Sequence, residues 1–227
     1  MSAYVIIANG DFLEKNLIQK ICQNKIIIAL DGAAQKLQAL DLKPHVILGD
    51  FDSLDRATQK FWGITKNFAE LDNQAKPYLG NDDVMIVPSL DQSLTDLVKA
   101  IRYCNTNHVS EISIICALGG RLDHEEVNKR ALRLEYNPSR PITLYSATQL
   151  LRFIRNETVH IAGKVGEKIG IFGFPNARFS SKGLQYDSTN TLLDFGYDSA
   201  CNALKQPEAS ITIDGDALLI LPSPYRI

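Results

Sequence analysis

Five largely apolar runs punctuate the first part of the chain: Tyr4–Ala8, Lys25–Leu30, His45–Leu48, Val84–Val87 and Glu111–Leu118. Their length and their Val and Ile content read as buried strands. Between them apolar residues recur at helical spacing. Leu13, Leu17, Ile18 and Ile21 predict a helix to Cys22, and Ala34–Leu40 a shorter one. Phe61 and Trp62 suggest a third, and Leu94, Leu97, Val98 and Ile101 mark a fourth. A fifth leads from Asp123 to about Tyr136. Strands without polar alternation, separated by helices, predict a parallel sheet with helices on both faces. Leu71–Asn81, with Pro77 and Gly80, reads as a loop without an assigned role.

The pattern changes at Asn137-Pro138-Ser139-Arg140-Pro141. Two prolines end the helix and predict a boundary between residues 1–137 and 138–227. Beyond it lie short strands: Ile142–Tyr145, Leu150–Ile154, Thr158–Ile161, Lys168–Phe172, Ser210–Ile213 and Leu218–Leu221. Glycine turns between such strands predict a β-sandwich, so the expected class is α/β plus all-β.

Composition narrows the function classes. A net charge of -2 without a basic run excludes a general nucleic-acid binder, but not a nucleotide substrate. No apolar stretch is long enough for a transmembrane helix, and Met1-Ser2-Ala3-Tyr4 has no basic leader character. Cys22, Cys104, Cys116 and Cys201 are scattered without a CxxC pair, as expected of reduced thiols in the cytoplasm.

The candidate chemistry gathers after the strands. In a parallel sheet ligands bind beyond the carboxyl ends, and the first three strands end in Asn9-Gly10, Asp31-Gly32 and Gly49-Asp50. If the chain stays extended through Asp50-Phe51-Asp52, both carboxylates face one side and repel unless a cation compensates. Mg2+ suits such oxygen ligands. Asp91-Gln92-Ser93-Leu94-Thr95-Asp96 opens the fourth helix. Asp96 is either a capping-box acid paired with Ser93 or a third carboxylate facing the pair. Gly119-Gly120-Arg121-Leu122-Asp123-His124 runs a glycine turn into a helix start, a ready anion site. Asp123 there is equally a helix cap. His124-Glu125-Glu126-Val127-Asn128 lacks the second histidine of a zinc protease, and neither a Walker A nor a G-x-G-x-x-G motif occurs.

Taken in order, these stretches resemble the thiamin pyrophosphokinases. The likeness rests on Asp31-Gly32-Ala33, Gly49-Asp50-Phe51-Asp52-Ser53, Asp91-Gln92-x-x-Thr95-Asp96, Gly119-Gly120-Arg121-x-Asp123-His124 with Asn128, Lys182-Gly183-Leu184-Gln185-Tyr186, and Cys201-Asn202. The resemblance implies an N-terminal α/β ATP-binding domain, a C-terminal β-sandwich that binds thiamin, and a homodimer. It implies transfer of a pyrophosphoryl group from MgATP to thiamin, giving thiamin diphosphate and AMP. By matching position it makes Asp50, Asp52 and Asp96 the Mg2+ carboxylates. Asn9, Gly10, Asp31, Ser53, Gln92, Thr95, Gly120, Arg121, Asp123 and His124 become nucleotide and catalytic surroundings, with Asp31 or Asp123 as proton acceptor. Tyr186, Cys201 and Asn202 fall where the family contacts thiamin. Tyr186 replaces a frequent tryptophan and Cys201 a frequent serine. A smaller ring and a weaker donor therefore face the acceptor.

Two other readings compete. Asp50-Phe51-Asp52-Ser53 also resembles the D-x-D nucleophile motif of haloacid-dehalogenase-type phosphatases. It follows the third predicted strand rather than the first, position 54 is Leu, and no later G-D-x-x-x-D motif occurs. A non-catalytic nucleotide- or thiamin-sensing module would keep the glycine turns but need no acidic trio.

Overall fold

The structure, a computed structural model, describes residues 2–65, 76–107, 109–194 and 199–225. It divides into two compact units, Met1–Ile142 and Thr143–Arg226.

In the first unit β1 (Ser2–Ile7), β2 (Ile26–Leu30), β3 (Val46–Gly49), β5 (Met85–Pro88) and β6 (Val109–Ile115) pair in parallel in the order β6-β1-β2-β3-β5. A short β4 (Tyr78–Leu79) pairs antiparallel on the outer edge of β5. This edge strand lies inside the predicted loop Leu71–Asn81, of which 71–75 lie outside the described residues. Two residues are too few to show a period, so sequence could not reveal it.

The helices are α1 (Lys15–Cys22), α2 (Ala33–Ala39), α3 (Arg56–Trp62), α4 (Asp96–Asn105) and α5 (Leu122–Leu134). Helix α4 lies across β1, β2, β3 and β6, and its buried stripe Leu97, Val98, Ala100 and Ile101 explains why. Helix α3 starts where Asp55 accepts a hydrogen bond from the Thr58 N–H (2.7 Å), and its buried Trp62 donates its indole N–H to Ala34 O of α2 (3.2 Å). Phe61, its neighbour, faces outward.

All five parallel strands present their carboxyl ends on one edge, so Asn9-Gly10, Asp31, Asp50 and Cys116 emerge together. The β1 and β6 exits are zipped by Gly10 N–H to Cys116 O (2.7 Å) and Asp11 N–H to Leu118 O (2.9 Å). A β-carbon at Gly10 would sit 2.5 Å from Leu118 O and 2.8 Å from Cys116 O. Gly10→Ala is therefore expected to cost about 1–3 kcal/mol by overpacking against backbone that cannot yield. An unchanged thermal midpoint in that variant would contradict this packing.

The second unit consists of antiparallel strands. Its strands are β7 (Ile142–Tyr145), β8 (Gln149–Arg155), β9 (Thr158–Ala162), β10 (Lys168–Lys182), β11 (Thr191–Leu193), β12 (Ser199–Ala203) and β13 (Glu208–Pro222). The expectation of short strands needs correction here. Ser210–Ile213 and Leu218–Leu221 belong to one 15-residue strand, and Lys168–Phe172 is the first part of another. Asp214-Gly215-Asp216 falls between the two expected strands. There Gly215 takes a left-handed φ of +103° within β13, opposite Ala177, where the β10–β13 register slips. Glycine permits a kink with the strand continuing through it. On one side of the kink β13 pairs with β8 and β10 with β12; on the other, β13 pairs with β9 and β10 with β11. Ile154, Ile169, Ile171, Phe179, Ile211, Ile213 and Leu219 from both portions share one core.

The cysteines follow burial. Cys104 and Cys116 are buried, and burial pushes their thiols up to about 12 and about 11; Cys22, partly covered, is likewise raised to about 12. Cys201 is exposed. Since the thiolate is the reactive form, limited iodoacetamide at pH 8 is expected to modify Cys201 first. Peptide mass mapping that found Cys104 or Cys116 labelled first, in folded protein, would contradict this burial.

Candidate active site

The site forms where β2 and β3 end. Asp31 follows β2 with φ +38°, and Phe51 follows β3 with φ +65°. Left-handed backbone is uncommon for a bulky residue, and it persists here because the Phe51 side chain is 2% exposed, locked in the core. The expected extended run through Asp50-Phe51-Asp52 is thus corrected. The chain turns, and the turn brings the two carboxylates together, with Asp52 N–H donating to Asp50 Oδ1 (3.3 Å).

Asp31, Asp50 and Asp52 form the closest acidic group, their carboxylate oxygens within 4.8 Å of one another. Asp31 is buried; Ser53 Oγ donates to its Oδ2, while Oδ1 has no hydrogen-bond partner among the described residues. Burial raises its pKa to about 6, aided by the charges of Asp96, Asp50 and Asp52 and opposed by the Ser53 hydrogen bond. Asp52 is also raised, by partial burial and then by Asp50. An orphaned buried oxygen amid like charges fits a cation-binding group.

Asp96 stands outside this closest trio. It is paired with Lys99 Nζ (3.0 Å), yet its charge still reaches Asp31, Asp50 and Asp52. Burial raises its pKa, against the lowering by Lys99. The capping-box reading is corrected: Thr95 caps α4, its Oγ1 accepting from Val98 N–H (3.5 Å). Ser93 instead donates its N–H and hydroxyl to Asp91 Oδ1 (2.8 and 2.6 Å). Gln92 Nε2 donates to Asp50 Oδ2 (2.8 Å), tying that loop to the acidic group.

Sequence reading missed Lys99, which is buried and also donates to Ser89 O beyond β5 (2.9 Å). A lone lysine inside the apolar stripe Leu97-Val98-Lys99-Ala100-Ile101 was the available signal, because a buried ammonium needs partners. Lys36 was also missed; it donates to Gly10 O (2.9 Å) and lies over the Phe12 ring, bracing the β1 exit beside exposed Asn9.

The diglycine turn precedes α5 as expected, Gly119 and Gly120 taking φ of +77° and +72°. Glu125 Oε2 accepts from Gly119 N–H (3.0 Å), and Asn128 Nδ2 donates to Ala117 O (2.8 Å). The N-cap position is Arg121, so the capping alternative for Asp123 is corrected. Asp123 lies in the first turn and holds Arg121 in a two-point pair, Nε to Oδ1 at 3.1 Å and Nη2 to Oδ2 at 2.6 Å. That hydrogen bonding lowers the Asp123 pKa to about 2. His124 is exposed, and its charge reaches Asp96.

In the second unit Tyr186 and Cys201 are exposed, whereas Asn202 is buried with its amide on the Tyr186 backbone.

The family model for the thiamin pyrophosphokinase catalytic domain matches residues 18–144, more than half of the chain. The chain belongs to the thiamin pyrophosphokinase family. It is 32% identical over 188 residues to thiamine pyrophosphokinase 1 of Arabidopsis thaliana, covering 78% of this chain and 64% of that relative. Thiamine pyrophosphokinase 3 of Oryza sativa subsp. japonica is 32% identical over 191 residues, covering 78% and 65%. The chain thus spans just under two thirds of the length of these plant thiamine pyrophosphokinases. In fold it is similar to the crystal structure of thiamine pyrophosphokinase from Bacillus subtilis, with a TM-score of 0.78 at 19% identity over 98% of this chain and 100% of that one.

Proposed function

We propose that this chain is a thiamin pyrophosphokinase, transferring the β- and γ-phosphates of MgATP as one group to the thiamin hydroxyl. The observation that carries this reading is the membership of the family combined with the carboxylate group its strand ends assemble. The first unit binds ATP. The second, a two-layer β-sandwich formed as β10 and β13 kink through both layers, contacts thiamin and pairs two copies in a cytoplasmic homodimer. The core shared by both portions of those strands supports the sandwich.

Asp50, Asp52 and the unpartnered oxygen of Asp31 would hold Mg2+, with Asp96 beside them. The ion supplies charge neutralisation on the phosphates. Around it, the chain's own groups position ATP. The diglycine turn and the α5 start offer an anion cradle, and the Arg121 guanidinium can exchange Asp123 for phosphate oxygens in the same two-point geometry. The hydroxyl oxygen bonds to the β-phosphorus. The bond from that phosphorus to the oxygen shared with the α-phosphate breaks, and AMP leaves. Asp31 or Asp123 would accept the hydroxyl proton; in the free protein burial raises Asp31, and Asp123 stays lowered only while Arg121 is held on it. A dication would draw Asp31 back down, so proton and cation compete for one oxygen.

A phosphatase of the haloacid-dehalogenase type is not favoured, since family membership lies elsewhere and Asp50 follows β3. Chromatography after incubation with MgATP and thiamin tests the proposal: thiamin diphosphate is expected, and steady release of inorganic phosphate from simple monoesters would overturn it. Binding of both ligands without any product would bring the sensing module forward.

A further inference from the structure

The segment that carries Tyr186 is held at almost every peptide group. Asn202, 1% exposed, accepts from Tyr186 N–H (3.1 Å) and Ala203 N–H (3.0 Å) through Oδ1, and donates Nδ2 to Tyr186 O (2.9 Å). Asp187 accepts from Gly183 N–H (3.2 Å), Leu184 N–H (3.0 Å) and Ser181 Oγ (3.3 Å). Gln185 N–H donates to Ala203 O (2.8 Å), and Lys205 N–H to Gly183 O (2.9 Å). On this fixed backbone Tyr186 is 62% exposed.

A large ring left in water on an immobilised backbone is pre-organised contact surface, because little further entropy is lost when a flat ligand stacks on it. Asn202 has the opposite character. Its amide is buried and holds both the N–H and the C=O of Tyr186. We propose that Asn202 is a positioning residue that acts on the acceptor through Tyr186, and not a substrate contact.

This rests on the acceptor-binding reading of the second unit and changes what Asn202 does within it. Replacement of Asn202 should loosen the platform and weaken acceptor binding. It should leave the phosphate chemistry of the first unit alone.

A double-mutant cycle decides the matter. KM and kcat for thiamin are measured in the full-length protein, in Asn202→Ala, in Tyr186→Ala and in the double variant. Asn202→Ala is expected to raise the thiamin KM about tenfold, with kcat and the ATP KM held within about twofold. In the Tyr186→Ala background the same change should add nothing, because its effect passes through that ring. Multiplying effects in the double variant would overturn the proposal.

Amide hydrogen exchange supplies a readout free of turnover. Gln185–Asp187 should exchange at least about tenfold faster in Asn202→Ala while the β10 and β13 core stays protected. Unchanged protection there would also overturn it. Asn202→Asp, which keeps the acceptor oxygen and loses the donor, replaces the alanine variant in both measurements if that variant does not fold. A wild-type protein without thiamin turnover defeats the functional proposal instead, and exchange still decides whether Asn202 holds the loop.

Discussion

Asp52→Asn is expected to lower the rate of pyrophosphoryl transfer by about 10²–10³-fold, the scale of weakening the ion that would neutralise the phosphates. The fold should survive. Asp52 is exposed at a turn whose shape is set by buried Phe51, and its pKa is raised by partial burial and Asp50. Removing its charge relieves repulsion and deletes no core contact. The corresponding loss in Mg2+ affinity, read by calorimetric titration, should appear without nucleotide present. Near-normal turnover with unchanged Mg2+ affinity would remove Asp52 from the metal group.

Asp31→Asn is expected to abolish most turnover and yet raise the thermal midpoint of the metal-free protein. The sign follows from linkage. Folding raises this carboxyl from 3.8 to about 6, so the folded state binds the extra proton between those values. Its contribution to stability therefore falls as pH rises from about 4 to about 6, and the cost is complete above that window. Screening on the water-facing side reduces that cost to about 1–2 kcal/mol at neutral pH. Asparagine keeps an oxygen for Ser53 and carries no charge. The variant should melt about 2–6 °C higher at pH 7 in EDTA, with the gap closing toward pH 4. Mg2+ should narrow or reverse the gap by binding the wild-type site alone. A lower midpoint for the variant at pH 7 in EDTA would show that Asp31 is not electrostatically strained.

Much of this was legible in the chain because each signal had a local physical cause. Five largely apolar runs became parallel strands, since both faces of such a sheet are buried. The polar clusters after them converge because parallel strands share one carboxyl edge. What escaped depended on long-range pairing or on backbone geometry. Asp31 joins Asp50 and Asp52 more closely than Asp96 does because Phe51 turns the chain and Lys99 holds Asp96. Sequence spacing records neither effect. Thr95 displaces Ser93 as the cap of α4 because Asp91 captures the serine. Gly215 reads as a turn residue, and only its pairing with Ala177 reveals a kink within one long strand. Asn202 sits in a motif that implies ligand contact, and its burial and its bonds to the Tyr186 backbone depend on a pairing sixteen residues apart that motif spacing does not record.

The most direct test of the central claim follows two phosphorus atoms. ATP labelled at the β-phosphorus and, separately, at the γ-phosphorus is incubated with Mg2+, thiamin and the protein, and the products are resolved. Both labels are expected in thiamin diphosphate, with one AMP formed for each. Transfer of the γ label alone, with ADP as the second product, would contradict pyrophosphoryl transfer at this site.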